Sequence, residues 1–442
     1  MIKNPLGRKI NVLVVPSDRT GVSYFRSTKP HIALDTKYPD DFHVDIEYEP
    51  QLNNDEWLKQ YDIIHYHRTL GDYTKVSEVL ERTDRLGILT FMDIDDHWSP
   101  GTHHPAHRQI KASGVDKLIS NNLISARNII TTTEIFAEEM SKLNKNIYVI
   151  PNAIDPSEKQ FTPNPVKAER IRIGWLGGSS HLEDLKLLKG MVRRLKADKL
   201  LDKVQFVLCG WDLRGNVTTI DENTGEQKSR PLQPKESVWY EYEKIFTDNF
   251  SIVSPEYKEW LHKFTKEEYP DIDNQPYRRV WTKPIKTYAS NYNLFDISLA
   301  PLYVNLFNKV KSQLKVIEAG FHKKALIAQE YGPYTIDLKS AKVYGGGFDK
   351  TGNALTVDTN KNHKQWYEHL SFLIKNPENI ELLANNLYDT VTKSYSIDVT
   401  TDLRRELYLG KLTDLIEGQS DEAILESYKK LNINDTIEVI GD

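Results

Sequence analysis

Short apolar runs alternate with segments of helical periodicity along the first part of the chain. Near-continuous apolar runs are typical of strands buried on both faces of a parallel sheet. Between them, apolar residues recur three or four positions apart, as in residues 72–82 and 134–143. This alternation predicts a doubly wound α/β domain over residues 1–155, with ligands bound at the carboxyl ends of its strands. The predicted strands are residues 10–15, 63–66, 88–92, 129–132 and 147–150.

A second alternation of the same kind begins after a polar stretch that extends to Arg170. The prolines and asparagine of residues 151–156 indicate a turn that closes the first domain, and the polar stretch indicates a linker. A capping-box pattern and the apolar spacing after it predict one helix over residues 181–196. A second Rossmann-like domain is therefore predicted over residues 156–395, with strands at 171–176, 204–210, 295–302 and 324–328.

Residues 212–283 depart from this alternation and are rich in aromatic side chains. A structureless loop of that length is improbable in a compact domain, so we predict an ordered insertion with a hairpin tip at 221–226. Helical periodicity returns over residues 364–395 and 403–416. The segment 396–442 is predicted to contain a C-terminal helix that crosses back to the first domain, followed by a tail.

Composition describes an ordinary globular protein and excludes several functions. The chain has 442 residues, 39% of them hydrophobic and 27% charged, which suits two domains. A net charge of −5 gives no electrostatic signature of nucleic acid or anionic membrane binding. Cys209 is the only cysteine, so neither an intrachain disulfide nor a thiolate metal cluster can form. Because no signal core or transmembrane-length run occurs, the cytoplasm is the expected compartment. The oligomeric state stays open.

One segment of the second domain carries the clearest chemistry. Residues 311–320 are predicted to form a short helix between two apolar strands, and its one acid, Glu318, has apolar neighbours. The amides at a helix N-terminus suit a diphosphate. A carboxylate one to two turns later can accept hydrogen bonds from both hydroxyls of a ribose. The pattern predicts a nucleotide site, because the alternative of a solvent-facing glutamate fits poorly with Val316, Ile317 and Ala319.

Four passages connect this segment with the rest of the chain. They are residues 131–136 with 149–155, 173–181, 299–318 with 325–334, and the helices of 366–395. In this order and spacing they resemble the retaining GT-B glycosyltransferases of family four, and the resemblance extends to about Leu412. It implies two Rossmann-like domains facing each other across a cleft. It also implies sugar transfer from a nucleoside diphosphate sugar to a hydroxyl, with retention and with no metal or other cofactor. The acceptor is left open between a glycan, a lipid-linked glycan and a modified nucleic-acid base.

The resemblance further implies roles for individual residues. Main-chain amides just after the family's first acidic position would contact the diphosphate, and the neighbouring lysines would stabilise its charge. Two solvated lysines on an exposed turn are the alternative for Lys311 and Lys315. One position departs from the family, which has two glutamates separated by seven residues: the first falls on Val310. The implied donor-binding residues are Gly21, Ser312, Gln313, Leu314, Lys315 and Glu318, with Lys311 as a catalytic cation.

A Gly-Gly turn follows the first strand of the second domain. Gly177 and Gly178 would let the backbone approach a phosphate, although any tight turn could use them. His181 is a candidate catalytic donor to a phosphate or sugar hydroxyl, with helix capping as the alternative. Arg279 and Lys283 are candidate phosphate contacts from the predicted insertion.

Two acids follow a strand of the first domain, and two interpretations compete. A divalent metal held by Asp93 and Asp95 is typical of the GT-A fold, whereas a GT-B site uses amides and cations. We therefore predict that Asp95 and Asp96 orient or deprotonate an acceptor hydroxyl. A zinc site is an alternative whose spacing matches no standard pattern; its ligands would come from His97, His103, His104 and His107.

Several assignments stay open. Arg19 and Arg26 are candidate anion contacts, although Arg26 could equally pair with an acid of the first domain. Asn152 and Asp155 are expected to form the turn that ends this domain. A phosphorylase or epimerase is one alternative function. A non-catalytic nucleotide-sugar-binding protein is another, suggested by the missing acid at Val310.

Overall fold

The computed structural model describes residues 2–220, 227–344 and 346–417. The chain divides into two compact units. The first break falls one residue beyond the predicted boundary at 155, whereas residues 305–317, predicted to belong to the second domain, group with the first unit. Unit 1 comprises Met1–Pro156, Asn305–Ile317 and Val391–Asp442, and unit 2 comprises Ser157–Val304 and Glu318–Thr390.

Unit 1 is built on a six-stranded parallel sheet. Its strands are β1 (Ile10–Val15), β2 (Phe42–Ile46), β3 (Ile63–His67), β4 (Leu89–Asp93), β5 (Asn128–Thr131) and β6 (Ile147–Val149). The order is β2-β1-β3-β4-β5-β6. The five predicted strands are confirmed. Edge strand β2 escaped prediction because it mixes polar and apolar residues and is only partly buried.

Unit 2 contains a second six-stranded parallel sheet, in the order β11-β8-β7-β12-β13-β14, and a separate antiparallel hairpin, β9-β10. The strands are β7 (Ile171–Leu176), β8 (Val204–Trp211), β9 (Asn216–Ile220), β10 (Gln227–Pro231), β11 (Tyr277–Trp281), β12 (Ile297–Ala300), β13 (Ala325–Gln329) and β14 (Leu355–Val357). The four predicted strands are confirmed, with β12 shorter than expected at both ends.

Helices surround both sheets. In chain order they are α1 (Gly21–Ser23), α2 (Lys29–Lys37), α3 (Asp55–Leu58), α4 (Val76–Arg85), α5 (His107–Ser113), α6 (Val115–Ser125), α7 (Glu134–Met140), α8 (Leu182–Lys186), α9 (Met191–Ala197), α10 (Val238–Phe246), α11 (Pro255–His262), α12 (Leu306–Lys309), α13 (Leu314–Phe321), α14 (Lys364–Lys375), α15 (Glu378–Ser394) and α16 (Ile397–Glu417). The C-terminal helix α16 packs against α2 within unit 1, where Leu407 and Tyr408 enter the core. In the part of the chain that the structure describes, no helix combines the length and the apolar character needed to cross a bilayer.

The predicted insertion over 212–283 is wrong for much of its length. Strand β11 lies inside this region, yet it pairs with β8 and forms the edge of the unit 2 sheet. Helix α10 also comes from this region and packs on β8. The hairpin β9-β10 is the part that stands outside the alternation. The predicted hairpin tip at 221–226 lies outside the described residues.

One predicted helix is divided in the structure, and the helices expected over 364–395 are two. Residues 181–196 form α8 and α9 instead of one helix. Gly190 lies between them with φ +100°, a conformation that side chains rarely adopt, and an added Cβ would approach the His363 ring to 2.7 Å. Residues 364–395 form α14 and α15, and the break coincides with Pro377, which disfavours helical geometry at the preceding residue.

Candidate functional site

The carboxyl ends of β1, β3 and β4 bring together a polar cluster in unit 1. His67, the last residue of β3, lies between two side chains: its Nε2 donates to Asp95 Oδ1 at 3.0 Å, and its Nδ1 lies 2.8 Å from Ser17 Oγ. Arg68 donates to the same Asp95 oxygen at 3.0 Å. The Arg68 backbone has φ +60°, a conformation that is uncommon for residues other than glycine and is found more often at functional sites. Asp95 is therefore held in place by two basic side chains.

The environments of the two predicted acceptor acids push their pKa values apart. Burial alone raises the pKa of Asp95, but the hydrogen bond from His67 and the charge of Arg68 outweigh it, so this pKa lies below its ordinary value. Burial and then the negative charge of Asp95 raise the pKa of Asp96, and the positive charge of Lys311 opposes that rise. No hydrogen bond to the Asp96 carboxylate is formed within the described residues. Asp96 is thus an acceptor that a ligand hydroxyl can use.

Lys311 belongs to unit 1, although the sequence predicts it in the second domain, within the nucleotide-binding segment 311–320. Its charge acts on Asp96, and its Nζ lies 5.0 Å from the centre of the Phe307 ring, a cation–π contact. His104 lies on the same ring, at 5.1 Å between centroids. The preceding residue, Val310, is fully buried in the apolar core of unit 1. The position of the missing family glutamate is therefore a core position in this chain.

A buried ion pair lies beneath this cluster. All three guanidinium nitrogens of Arg26 donate hydrogen bonds. Nε and Nη2 donate to the two carboxylate oxygens of Asp93 at 2.8 and 2.9 Å. Nη1 donates to Ile150 O at 2.8 Å and to Asn152 Oδ1 at 3.1 Å. Asn152 Nδ2 then donates to Ser312 Oγ at 3.0 Å. The alternative that Arg26 pairs with an acid of the first domain is confirmed, and Asn152 does more than form a turn, because it links this pair to the 305–317 segment.

The histidine group has separate partners. His97 and His104 each use Nδ1 to accept a hydrogen bond from the backbone N–H two residues later. His107 Nδ1 donates to Pro100 O at 2.8 Å, and His103 is exposed. Within residues 2–220, 227–344 and 346–417, no group of three His, Cys, Asp or Glu side chains could hold a metal ion.

The loop after β1 positions Gly21 at the first residue of α1. Before it, Asp18 Oδ1 accepts hydrogen bonds from the Thr20 backbone and hydroxyl, both at 2.7 Å, which fixes the turn into the helix. The Arg19 guanidinium stacks on Tyr48 at 3.9 Å from the ring centre. A π-helical turn, Tyr24–Thr28, follows α1, a distortion that is frequent at functional sites.

In unit 2, Asp184 joins the loops after the adjacent strands β7 and β12. Its Oδ2 accepts from His181 Nδ1 at 2.7 Å, and its Oδ1 accepts from the Tyr303 backbone N–H at 2.7 Å. The backbone N–H of His181 donates to the Tyr242 hydroxyl at 2.8 Å. His181 precedes α8 and makes no side-chain cap. Because Asp184 holds Nδ1, the ring orientation and tautomer of His181 are fixed.

The glycines near the turn after β7 differ in whether the surrounding structure requires a residue without a side chain. An added Cβ at Gly174 would approach the Phe295 ring to 2.0 Å, and one at Gly210 would approach the Gly177 carbonyl to 2.3 Å, so packing requires both glycines. A Cβ at Gly178 would meet nothing within 4 Å, and this residue has no left-handed φ. Neither packing nor backbone conformation therefore requires a glycine at position 178. The turn is open beside this residue, so a ligand can approach its backbone.

Glu318 lies one turn inside α13 and is 4% exposed. Its carboxylate is occupied by two phenols from the 3₁₀ helix Tyr288–Leu294. The Tyr288 hydroxyl donates to Oε1, and the Tyr292 hydroxyl donates to Oε2 at 3.0 Å. The prediction of this acid on a buried helix is confirmed, whereas neither tyrosine was predicted.

The helix that carries Glu318 begins later than predicted. Leu314 and Lys315 are its first two residues, whereas Ser312 and Gln313 precede it. Gln313 O accepts from Val316 N at 2.9 Å, which closes the first turn. Among the three predicted amides, those of Ser312 and Gln313 therefore lie in the loop before the helix, and that of Leu314 lies within it.

Arg279 has an internal partner that argues against the predicted phosphate contact. It is 7% exposed, and it forms two hydrogen bonds with the buried carboxylate of Glu243, at 3.0 and 2.9 Å. Its guanidinium also stacks on Trp211 at 3.9 Å. The correction follows from β11, which places Arg279 inside the sheet instead of in an insertion. Lys283 is exposed and donates to Ser290 Oγ at 3.2 Å.

Several residues of these clusters escaped the sequence analysis. Position is the only signal that most of them offer. Ser17, His67 and Arg68 end or closely follow a strand, and the two tyrosines stand at helical spacing before β12, whereas Asp184 lies inside α8. Such residues meet only when the strand order is known. They are Ser17, His67, Arg68, Asp184, Tyr288 and Tyr292.

Comparison with known proteins identifies the fold. No protein-family model matches the sequence, and no curated protein matches it significantly. HepE of Anabaena, solved in complex with UDP and glucose, aligns with a TM-score of 0.55 at 10% identity, over 90% of this chain and 98% of that one. The catalytic domain of starch synthase IV from Arabidopsis thaliana, solved with ADP and acarbose, aligns with a TM-score of 0.54 at 11% identity, over 92% and 100%.

OtsA, solved in its apo form, aligns with a TM-score of 0.52 at 10% identity, over 92% of this chain and 99% of that one. At such identities the likeness establishes the fold alone. With two six-stranded parallel sheets of Rossmann-like order, the chain has the predicted GT-B fold.

Proposed function

We propose that the chain is a glycosyltransferase that moves a sugar from a nucleoside diphosphate sugar to a hydroxyl acceptor, with retention of configuration. The observation that carries the proposal is Glu318, a buried acid one turn inside a helix that follows a parallel strand. An acid at this position suits a ribose, and the helix start suits a diphosphate. HepE, which shares the fold, was solved with UDP-glucose and with UDP and glucose, which supports a nucleotide-sugar donor.

The donor would be held by the turn after β7 and by helix α13. The amides of the open turn at Gly177 and Gly178 and those at the start of α13 would contact the diphosphate. His181, oriented by Asp184 at 2.7 Å, would donate to a phosphate or sugar hydroxyl. Lys315 would add positive charge for the departing diphosphate.

The acceptor side of the reaction would use the unit 1 cluster. Asp96 would accept a hydrogen bond from the acceptor hydroxyl and orient it, while Asp95, held by His67 and Arg68, would keep the pKa of Asp96 raised. Lys311, whose charge acts on Asp96, would tune the same carboxylate. Retention is proposed through a front-face route, in which a leaving diphosphate oxygen takes the acceptor proton.

We further propose that no metal takes part, because amide dipoles and cations would neutralise the diphosphate. Turnover is then expected to continue in excess EDTA. Complete loss in EDTA with recovery on addition of manganese would contradict this and would point to Asp93 and Asp95 as ligands. Asp93 would then have to leave Arg26, with which it forms a fully buried pair.

A thermal-shift screen tests the proposal first. UDP, ADP and GDP, each alone and as its glucose conjugate, are added to the full chain. A ligand that binds only the folded state raises its stability by about 2.7 kcal/mol at a hundredfold excess over Kd. At least one pair is expected to raise the melting temperature, and release of the nucleoside diphosphate then reports turnover. A melting temperature unchanged by all of them would overturn the proposal.

The buried Val310 favours a second candidate, a nucleotide-sugar-binding protein without transfer activity, because the family places a sugar-contacting acid there. Donor binding with no hydrolysis and no transfer would select this candidate. Slow donor hydrolysis by the purified protein would exclude it. Release of sugar 1-phosphate in phosphate buffer would instead indicate a phosphorylase.

A further inference from the structure

The carboxylate of Glu318 already has a hydrogen bond at each oxygen. Tyr288 donates to one oxygen and Tyr292 to the other. A ribose that binds here brings two hydroxyl donors to the same two oxygens. Since Glu318 is only 4% exposed, little space remains for additional donors beside both phenols. One phenol therefore has to give up its place when a ribonucleotide binds.

The surroundings of the two tyrosines decide which one moves. Tyr292 is 1% exposed, its ring stacks on His322 with centroids 5.0 Å apart, and it contacts Phe295 edge-on at 5.4 Å. Close packing of this kind resists a change of rotamer. Tyr288 is the first residue of the 3₁₀ helix and is partly exposed, so its ring can turn towards water.

We propose that Tyr288 occupies the place of a ribose hydroxyl in the unliganded protein and that a ribonucleotide displaces it from Glu318, while Tyr292 stays. This inference rests on the proposed donor site. The exchange replaces one neutral O–H donor to the carboxylate by another. A ligand without ribose hydroxyls offers no replacement donor, so Tyr288 keeps its bond and such a ligand gains nothing from Glu318. Tyr288 is thus a specificity-determining residue for ribonucleotides.

Calorimetric titration of Tyr288→Phe tests this inference. The probes are UDP, ADP and GDP, each beside its 2′,3′-dideoxy counterpart. Removal of the competing hydroxyl is expected to raise affinity for the ribonucleotide that binds best, by roughly threefold to tenfold, since one hydrogen bond no longer has to be exchanged. Affinity for the dideoxy counterpart is expected to stay unchanged. Tyr292→Phe is the matched control and should not raise affinity for either probe.

The outcomes separate this inference from the proposed function. If no ribonucleotide binds the wild type or Tyr288→Phe, the donor site itself is wrong and the inference fails with it. If ribonucleotides bind but Tyr288→Phe gives no gain, or an equal gain for the dideoxy probe, only the displacement of Tyr288 is overturned. A melting curve on each variant checks the fold, and Tyr288, being partly exposed, should tolerate the loss of one hydroxyl.

Discussion

Different chemistry holds the candidate acids Asp95 of unit 1 and Glu318 of unit 2. In unit 1 the acids meet formal cations or a basic ring: Asp93 pairs with Arg26, and Asp95 accepts from His67 and Arg68. In unit 2, Glu318 accepts from two neutral phenols. Charged or basic donors thus hold Asp93 and Asp95, whereas neutral donors hold Glu318 on its helix. The Glu243 carboxylate of unit 2, which pairs with Arg279, follows the pattern of unit 1.

This difference supports a division of labour. Opposite charges and burial move the pKa values of Asp95 and Asp96 in opposite directions, which is the environment of groups that take part in proton transfer. The neutral O–H donors around Glu318 are of the same kind as the hydroxyls of a ribose, which agrees with the proposed role of this acid in donor binding.

The buried pair of unit 1 is expected to give the largest effect. Arg26→Met leaves the Asp93 carboxylate without its cation at 0% exposure, and this should lower the free energy of unfolding by about 3–5 kcal/mol. Urea denaturation measures it. The control is Arg8→Met, whose pair with Asp62 is largely exposed on the arginine side and should change stability by less than about 1 kcal/mol. Equal losses in both variants would remove the distinction between buried and exposed pairs.

Asp96→Asn should lower the transfer rate by about 10²-fold, because a neutral amide oxygen is a weaker hydrogen-bond acceptor than the carboxylate and would orient the acceptor hydroxyl less well. Donor affinity should stay within about threefold, a change below roughly 1 kcal/mol. Transfer kinetics, donor titration and a melting curve on the same variant measure these quantities. The exposed Asp40 of the same unit gives the matched control, Asp40→Asn. A wild-type rate for Asp96→Asn would remove this acid from the mechanism, and a lowered melting temperature alone would assign it a structural role.

Glu318→Gln should weaken nucleoside diphosphate binding about tenfold while the fold stays intact, since a hydrogen bond to a charged acceptor contributes about 1.5–3 kcal/mol. Calorimetry measures the affinity. Glu259→Gln, at an exposed position of unit 2, is the control. Unchanged affinity in Glu318→Gln would end the ribose assignment and would leave the acid as the structural partner of its two tyrosines.

The strands show how far the sequence predicts this fold. Central strands such as β1 and β13 are buried almost throughout and therefore carry near-continuous apolar runs. Strand β11 lies at a sheet edge and contains Arg278 and Arg279, whose charges are satisfied by Glu268 and Glu243. A sequence pattern cannot reveal these partners, so the strand was taken for part of an insertion.

The candidate sites divide in the same way. Asp95, Asp96 and Glu318 were found because each is an acid directly after a strand or on an apolar helix. His67 and Tyr288 were missed because their partners lie 28 and 30 residues away along the chain. Local pattern therefore finds single functional groups, whereas pairs depend on which strands are neighbours.

The smallest expected effect is a shift of the pH profile, and two variants should move it in opposite directions. Burial and the charge of Asp95 raise the pKa of Asp96, whereas Lys311, Arg68 and His67 oppose the rise. Asp95→Asn removes a negative neighbour, so the Asp96 carboxylate should persist to lower pH and the acidic limb of kcat should move to lower pH. Lys311→Met removes a positive neighbour and should move it to higher pH.

Profiles of kcat against pH for the wild type and both variants measure these shifts, and their opposite signs serve as mutual controls. A purely structural role for either residue would lower the rate at every pH without moving the limb. If the acidic limb moved in the same direction in both variants, a group other than Asp96 would be the one that titrates. Opposite movement would assign the limb to Asp96, whose pKa Asp95 raises and Lys311 lowers, and would show that transfer requires the charged form of this carboxylate.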